Sequence, residues 1–440
     1  MVLPHHRKDG TYGVDAYVAW AVRLTCALYE ATGDGRWASM LALYDRRVEL
    51  WRAADLADDA SRVRIAWRLD ALLGFRGRHT DAYQRTARHD VSVLPEDEQR
   101  ELKAVLALRA ALTLDTALTQ SVLDTLEPPW SVPALRAALR VAIWRRGTTV
   151  PVDPEPVLNH PDATAFDQTM VMLSMAGHAR RRGAVDDAES WALRALAVVD
   201  RHDVERLRPG VWAMLGNLHQ RSGDLGPAVT CLQKALDSCV DDDIVPTPVV
   251  LFTLGYLEAC VRDEQASDHL LRAARAFRRA GDLRQSAQAF GDLAAVCVER
   301  DDVVGAQSAL ASAMAMVLDS GDSHMGVSVA ATLCLTSAAR GQGSMAALHL
   351  ESVSEESTMT PLQRRHVLDL RALIGLDAHL EPASQCFHPE VDLIHRLAHA
   401  RTGHGAETLA EAIDAVSEDP ATEVALGVRL ALRVARQALQ

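Results

Sequence analysis

Apolar and small residues recur along the middle of this chain in one fixed order, five times over. The small anchor positions are Ala176, Gly216, Gly255, Ala294 and Cys334, separated by 40, 39, 39 and 40 residues. Each follows an apolar residue: Met175, Leu215, Leu254, Leu293 and Leu333. Seven residues past the anchor, four copies reach a turn at Gly183, Gly223, Asp301 or Gly341, and the fifth reaches Arg262-Asp263. A second small residue follows at Ala188, Ala228, Ala306 and Ala346, with Ala266 in the shifted Gly255 copy.

This spacing predicts pairs of helices. Small residues at matching points let the two helices of a pair approach closely, and large apolar residues three and four positions away fill the seam to the next pair. Glycine ends the first helix because it accepts a left-handed backbone at little cost. One pair cannot bury its apolar face alone, so neighbours stack. The expected fold is all-α, an α–α superhelix of antiparallel helix pairs.

The clearest copy runs Trp212-x-x-Leu215-Gly216-x-x-His219, then Ala228, Leu232 and Ala235. It resembles the tetratricopeptide repeat, with the signature W-x2-L-G-x2-Y followed by A-x3-F. It departs from that signature at His219, Leu232 and Val240, where Tyr, Phe and Pro are usual. The longer period is similar to the expanded repeats of some bacterial signalling regulators, among them peptide-sensing regulators and the sensor domains of large LuxR-type activators. The resemblance covers residues 165–355.

In such arrays the first helix of each pair lines a concave groove. Carried onto this sequence, the groove is basic at Arg180, Arg181 and Arg221, amide-bearing at Asn217 and Gln220, and aromatic at Phe252 and Tyr256. It then turns apolar through Ala259, Cys260, Ala295 and Val298, ending at Glu299. Such a run suits an extended peptide: arginine forks a carboxylate, the amides satisfy backbone groups, and the aromatics pack a side chain.

Flanking segments divide the chain further. Residues 1–146 read as helices with a looser version of the pattern and hold six of the eight tryptophans. Residues 147–163 form a Pro-rich linker that its four prolines keep extended. The regular repeats occupy 164–355, and 356–440 forms a helical region in which His395–Val416 reads as a capping pair.

Composition excludes more than it assigns. The net charge of -13 disfavours nucleic acid as a partner. No run of 18 apolar residues exists and Met1–Gly10 has no apolar leader core, so a cytoplasmic protein without a membrane partner is expected. Seven cysteines with no C-x-x-C read as buried thiols. There is no P-loop, and Gly341-Gln-Gly343-Ser-Met-Ala346 falls on a repeat turn instead of after a strand, so no cofactor is expected. His388, Asp392, His395 and His399 share one helical stripe, a spacing that could hold a divalent ion, but they read better as a solvated helix face.

The resulting expectation is a peptide- or protein-binding regulator or adaptor, without its own catalytic or DNA-binding module. An enzyme on a helical scaffold, drawing on His178, His219 and Glu299, and a structural homo-oligomer are the alternatives.

Overall fold

The computed structural model describes residues 13–113, 115–145, 152–242, 244–320, 327–351, 361–376, 389–403, 408–419 and 425–439. Among the described residues the regular structure is all helical. The chain packs as two compact units, Met1–Val250 and Leu251–Gln440.

The first unit opens with α1 (Val14–Gly33), α2 (Trp37–Asp45), α3 (Arg47–Leu56), α4 (Asp59–Phe75), α5 (His79–Thr86), α6 (Glu96–Leu112), α7 (Thr116–Leu123) and α8 (Val132–Arg145). Asp58 and Asp115 cap α4 and α7, accepting from Ser61 N at 2.8 Å and Leu118 N at 2.9 Å. Aromatic bulk fills this region: Trp20 packs with Leu43, Leu50 and Ile65, and Tyr29 meets Trp67 edge-on.

Residues 152–163 are not extended throughout. Glu155–Leu158 form a short helix, α9, with Pro156 in its first turn, where proline's missing N–H is harmless. Val152 and Val157 are buried with Ile143, Val171 and Met175, so this segment packs against its neighbours. Residues 147–151 lie outside the described residues, as do 352–360 and Ala406.

The predicted pairs then follow: α10 (Ala165–Arg181) with α11 (Val185–His202), and α12 (Arg208–Arg221) with α13 (Leu225–Asp237). A capping box starts α10, Thr164 Oγ1 accepting from Asp167 N and Asp167 Oδ2 accepting from Thr164 N. The division between the units falls within α14 (Thr247–Cys260), and the second unit continues with α15 (Ala266–Ala280), α16 (Leu283–Glu299), α17 (Val303–Ser320), α18 (Val327–Ala339) and α19 (Gly343–Glu351). After them come α20 (Pro361–Leu373), α21 (Pro389–Thr402), α22 (Leu409–Glu418) and α23 (Leu426–Gln437).

The anchors explain how closely the helices of a pair approach. Ala176, Ala294 and Cys334 have no exposed surface, nor do Ala188, Ala228, Ala266, Ala306 and Ala346. A Cβ on Gly216 would stand 2.8 Å from Leu232 Cγ and 3.2 Å from the Ala228 carbonyl. Gly216→Ala therefore gains about 1 kcal/mol of helix propensity but loses about 1–3 kcal/mol to overpacking. A net loss near ~1 kcal/mol is expected, read as a lower urea midpoint at unchanged slope. Gly226→Ala, where a methyl meets nothing, should raise the midpoint instead.

All five first helices end alike. Gly183, Gly223, Arg262, Asp301 and Gly341 have φ of 76°, 84°, 61°, 55° and 74°. The following amide reaches back to a carbonyl five residues earlier: Ala184 to Ala179, Asp224 to His219, Asp263 to Glu258, Asp302 to Cys297 and Gln342 to Ser337. These are Schellman closures. Three use glycine, and two hold a full side chain in the left-handed region.

Candidate functional site

Helix α8 positions the first part of the site. Ala134, Ala137 and Val141 turn toward one core and Leu139 and Ile143 toward another. That leaves Arg136, Arg140 and Trp144 at i, i+4 and i+8 on one stripe. Arg136 pairs with Asp167 at the start of α10, Nη1 to Oδ1 at 2.7 Å. Two turns on, the Arg181 guanidinium lies over the Trp144 ring at 4.5 Å. Between them, Arg140 lines a crevice with Met170 and Ser174 and has no carboxylate partner among the described residues.

Helices α10 and α12 supply the rest. Arg180 and Arg181 end α10, and Arg221 ends α12. Arg180 is half-buried, and burial, then the like charges of Arg221 and Arg181, lower its pKa. Burial, then Arg136 and Arg181, push Arg140 down to about 10. His79 on α5 feels the same field: burial and then Arg140 depress its pKa. The Nε atoms of Arg140 and Arg180 are buried without a hydrogen-bond acceptor. Of the five guanidiniums in this region of the first unit, only Arg136 has a carboxylate partner among the described residues, which makes a surface suited to an anion.

The structure brings together Arg180, Arg181 and Arg221 as the repeat register implies. Asn217 and Gln220 sit half-buried on the same helix as Arg221. Phe252 and Tyr256 belong to the second unit, where Phe252 packs edge-on against Phe277 with centroids 6.2 Å apart. Sequence reasoning missed Arg140, Trp144 and His79. The i, i+4, i+8 stripe on α8 was the available signal, but no repeat register tied α8 to α10.

In the second unit the predicted positions Ala259, Cys260, Val298 and Glu299 are covered by the chain itself. Arg429 of α23 donates Nε and Nη2 to Glu299 at 2.5 and 2.9 Å, and Nη2 also to the Ala259 carbonyl at 3.0 Å. Arg433 donates to the Val298 carbonyl at 2.9 Å and to Asp301 at 3.0 Å. Glu299, one of the groups an enzyme reading drew on, is therefore held in an ion pair.

The histidine stripe is divided between other partners. His395 Nδ1 lies 2.6 Å from Asp369 Oδ1 on α20, and Asp392 accepts from Arg365 at 3.1 Å. His388 lies outside the described residues, and among the described residues no group of three metal-binding side chains converges. Cys26, Cys231, Cys239, Cys260, Cys297 and Cys334 are thiols outside any disulfide. Burial pushes Cys297 up to about 11 and Cys334 up to about 12. No described helix is long and apolar enough to cross a membrane.

No protein-family model and no curated protein matches the sequence. Among solved structures, BtubC (BKLC) from P. vanneervenii aligns over 57% of this chain and 91% of its own, at 18% identity and a TM-score of 0.33. A circular tandem repeat protein with novel repeat topology aligns over 97% of each chain, at 12% identity and a TM-score of 0.14. Likenesses this weak carry no argument about function.

Proposed function

We propose that this chain is a binding protein of tetratricopeptide-like build, a cytoplasmic adaptor or regulator that takes a peptide or protein segment on the first unit. One observation carries the reading: Arg140, Arg180, Arg181 and Arg221 share a surface where none of them has a carboxylate partner among the described residues, in a chain whose net charge is -13. Concentrating like charge around the half-buried Arg140 and Arg180 disfavours the empty state, and a carboxylate relieves it. A free peptide C-terminus offers the planar, bidentate anion that arginine matches. Asn217 and Gln220, on the helix that ends in Arg221, supply donors and acceptors for the peptide backbone behind it.

The test is retention of random extended peptides, one pool with free C-terminal carboxylates and one amidated. Wild type should retain the acid pool and not the amide pool. Arg180→Glu/Arg221→Glu should lose about 100-fold in affinity while its circular dichroism stays unchanged. Equal retention of both pools by wild type and variant would refute the assignment.

A further inference from the structure

The second unit holds a cavity of about 940 Å³, bounded by the ends of α14 and α16 and by α23. Its lining carries five arginines, Arg262, Arg300, Arg429, Arg433 and Arg436, against two glutamates, Glu264 and Glu299. The fold accounts for two of the five. Arg429 pairs with Glu299 and Arg433 with Asp301, and both cap the last carbonyls of α14 and α16, where a cation is favoured. Arg300 is held by neutral acceptors, its Nη2 2.7 Å from the Asp263 carbonyl. Arg436 donates to Ser417 Oγ at 2.9 Å. Among the described residues, none of Arg262, Arg300 and Arg436 forms an ion pair.

Arg262 supplies an independent indication. It stands at the left-handed turn position that Gly183, Gly223 and Gly341 occupy elsewhere. A side chain there costs about 1–2 kcal/mol relative to an unstrained residue. Left-handed strain in a non-glycine residue persists where something else selects the side chain, and such positions gather at ligand sites. The second non-glycine turn, Asp301, adjoins the same cavity through its pair with Arg433. The two exceptions to the glycine rule thus flank one pocket.

We propose that this pocket binds a small polyanion, an organic phosphate or a polycarboxylate, between Arg262, Arg300 and Arg436. Arginine forks match either oxyanion, and Leu430, Leu432, Val296 and Ala259 on the wall accommodate an apolar portion. The volume suits a ligand of nucleotide size. This site is separate from the peptide surface proposed above and does not depend on it.

The test is isothermal titration of the full chain with inorganic pyrophosphate and, separately, with citrate, at a fixed ionic strength of about 0.15 M. Micromolar binding of at least one is expected, and the better probe identifies phosphate or polycarboxylate as the preferred chemistry. Arg262→Gly should lose about tenfold in affinity while its melting temperature rises by about 2–4 °C as strain is released. Because this variant folds at least as well as wild type, a loss of binding cannot come from unfolding. Arg436→Gln should weaken binding similarly, and Arg278→Gln, exposed on α15 outside the lining, should leave it intact. Absence of binding by both probes at about 1 mM, wild-type affinity in Arg262→Gly, or an equal loss in Arg278→Gln would each overturn the proposal.

Discussion

Arg429→Ala is expected to remove about 3 kcal/mol from the stability of the second unit. Arg429 is only 8% exposed and grips both oxygens of Glu299. It also satisfies the Ala259 carbonyl at the end of α14. Truncation leaves Glu299 desolvated without its cation and an end-of-helix carbonyl without its donor, and each loss is larger than the bond itself was worth. Leu426, Leu430 and Val434, buried one turn apart along α23, would still hold the helix by apolar contact, which limits the damage to this unit. A convenient pair of probes separates the outcomes. All eight tryptophans, ending at Trp212, lie before residue 250, so their fluorescence reports the first unit while far-ultraviolet circular dichroism reports both. The dichroism transition should acquire an early phase about 1–2 M lower in urea, with the fluorescence midpoint unmoved. Arg429→Met/Glu299→Leu should recover most of the loss, because an ion pair replaced whole by apolar groups costs little. A single, unshifted dichroism transition in Arg429→Ala would count against α23 as a pinned element.

The turn positions were legible in the sequence because they are set by backbone geometry. The register that placed Gly183, Gly223 and Gly341 also placed Arg262 and Asp301, and all five adopt φ between 55° and 84°. The small anchors were legible for a similar reason: close helix approach tolerates few side chains, and a methyl on Gly216 already meets Leu232. Helix α23 illustrates the opposite case. Its period of four was present in Leu426, Leu430 and Val434, yet an amphipathic helix does not state which surface it will cover. Nothing along the chain said that Arg429 would reach Glu299, 130 residues away.

The candidate site was legible in the same uneven way. Arg180, Arg181 and Arg221 follow from repeat register, since first helices of adjacent pairs present equivalent ends. Arg140 and Trp144 come from a segment whose loops vary in length, so their approach to α10 depends on tertiary packing alone. Phe252 was placed in a groove by register, but an aromatic with Phe277 nearby gains more by packing against it than by facing water. Local periodicity thus located backbone constraints well and side-chain partners poorly.

The packing of the N-terminal helices against the α11–α12 segment concentrates in Arg206, and its removal should be the most damaging single change in the first unit. Its guanidinium lies 4.8 Å from the Phe75 ring and 4.1 Å from the Phe166 ring. Nη1 donates to the Thr32 carbonyl at 2.8 Å, and its backbone N–H donates to the Gly35 carbonyl at 2.8 Å. Burial, followed by the like charge of Arg136, pushes its pKa down to about 9, still above neutrality, so the cation persists and is held by ring faces and a carbonyl. Arg206→Ala loses two stacking contacts, a charge-assisted hydrogen bond and buried volume, together about 3–5 kcal/mol. Lysine does not rescue it, because a point charge cannot stack as a plane between two rings. The expected signature mirrors that of Arg429: tryptophan fluorescence should shift by about 1–2 M in urea. Gly35→Ala attacks the same joint through the backbone. Its φ is +81°, and a Cβ would lie 2.3 Å from Val204 Cγ1, so strain and overpacking add to a loss of about 2–4 kcal/mol. Since the Gly35 methyl and the Arg206 guanidinium both bear on Phe166, the double variant should lose less than the sum of the singles. Additive losses would mean that the two residues stabilise separate contacts and that no common joint exists.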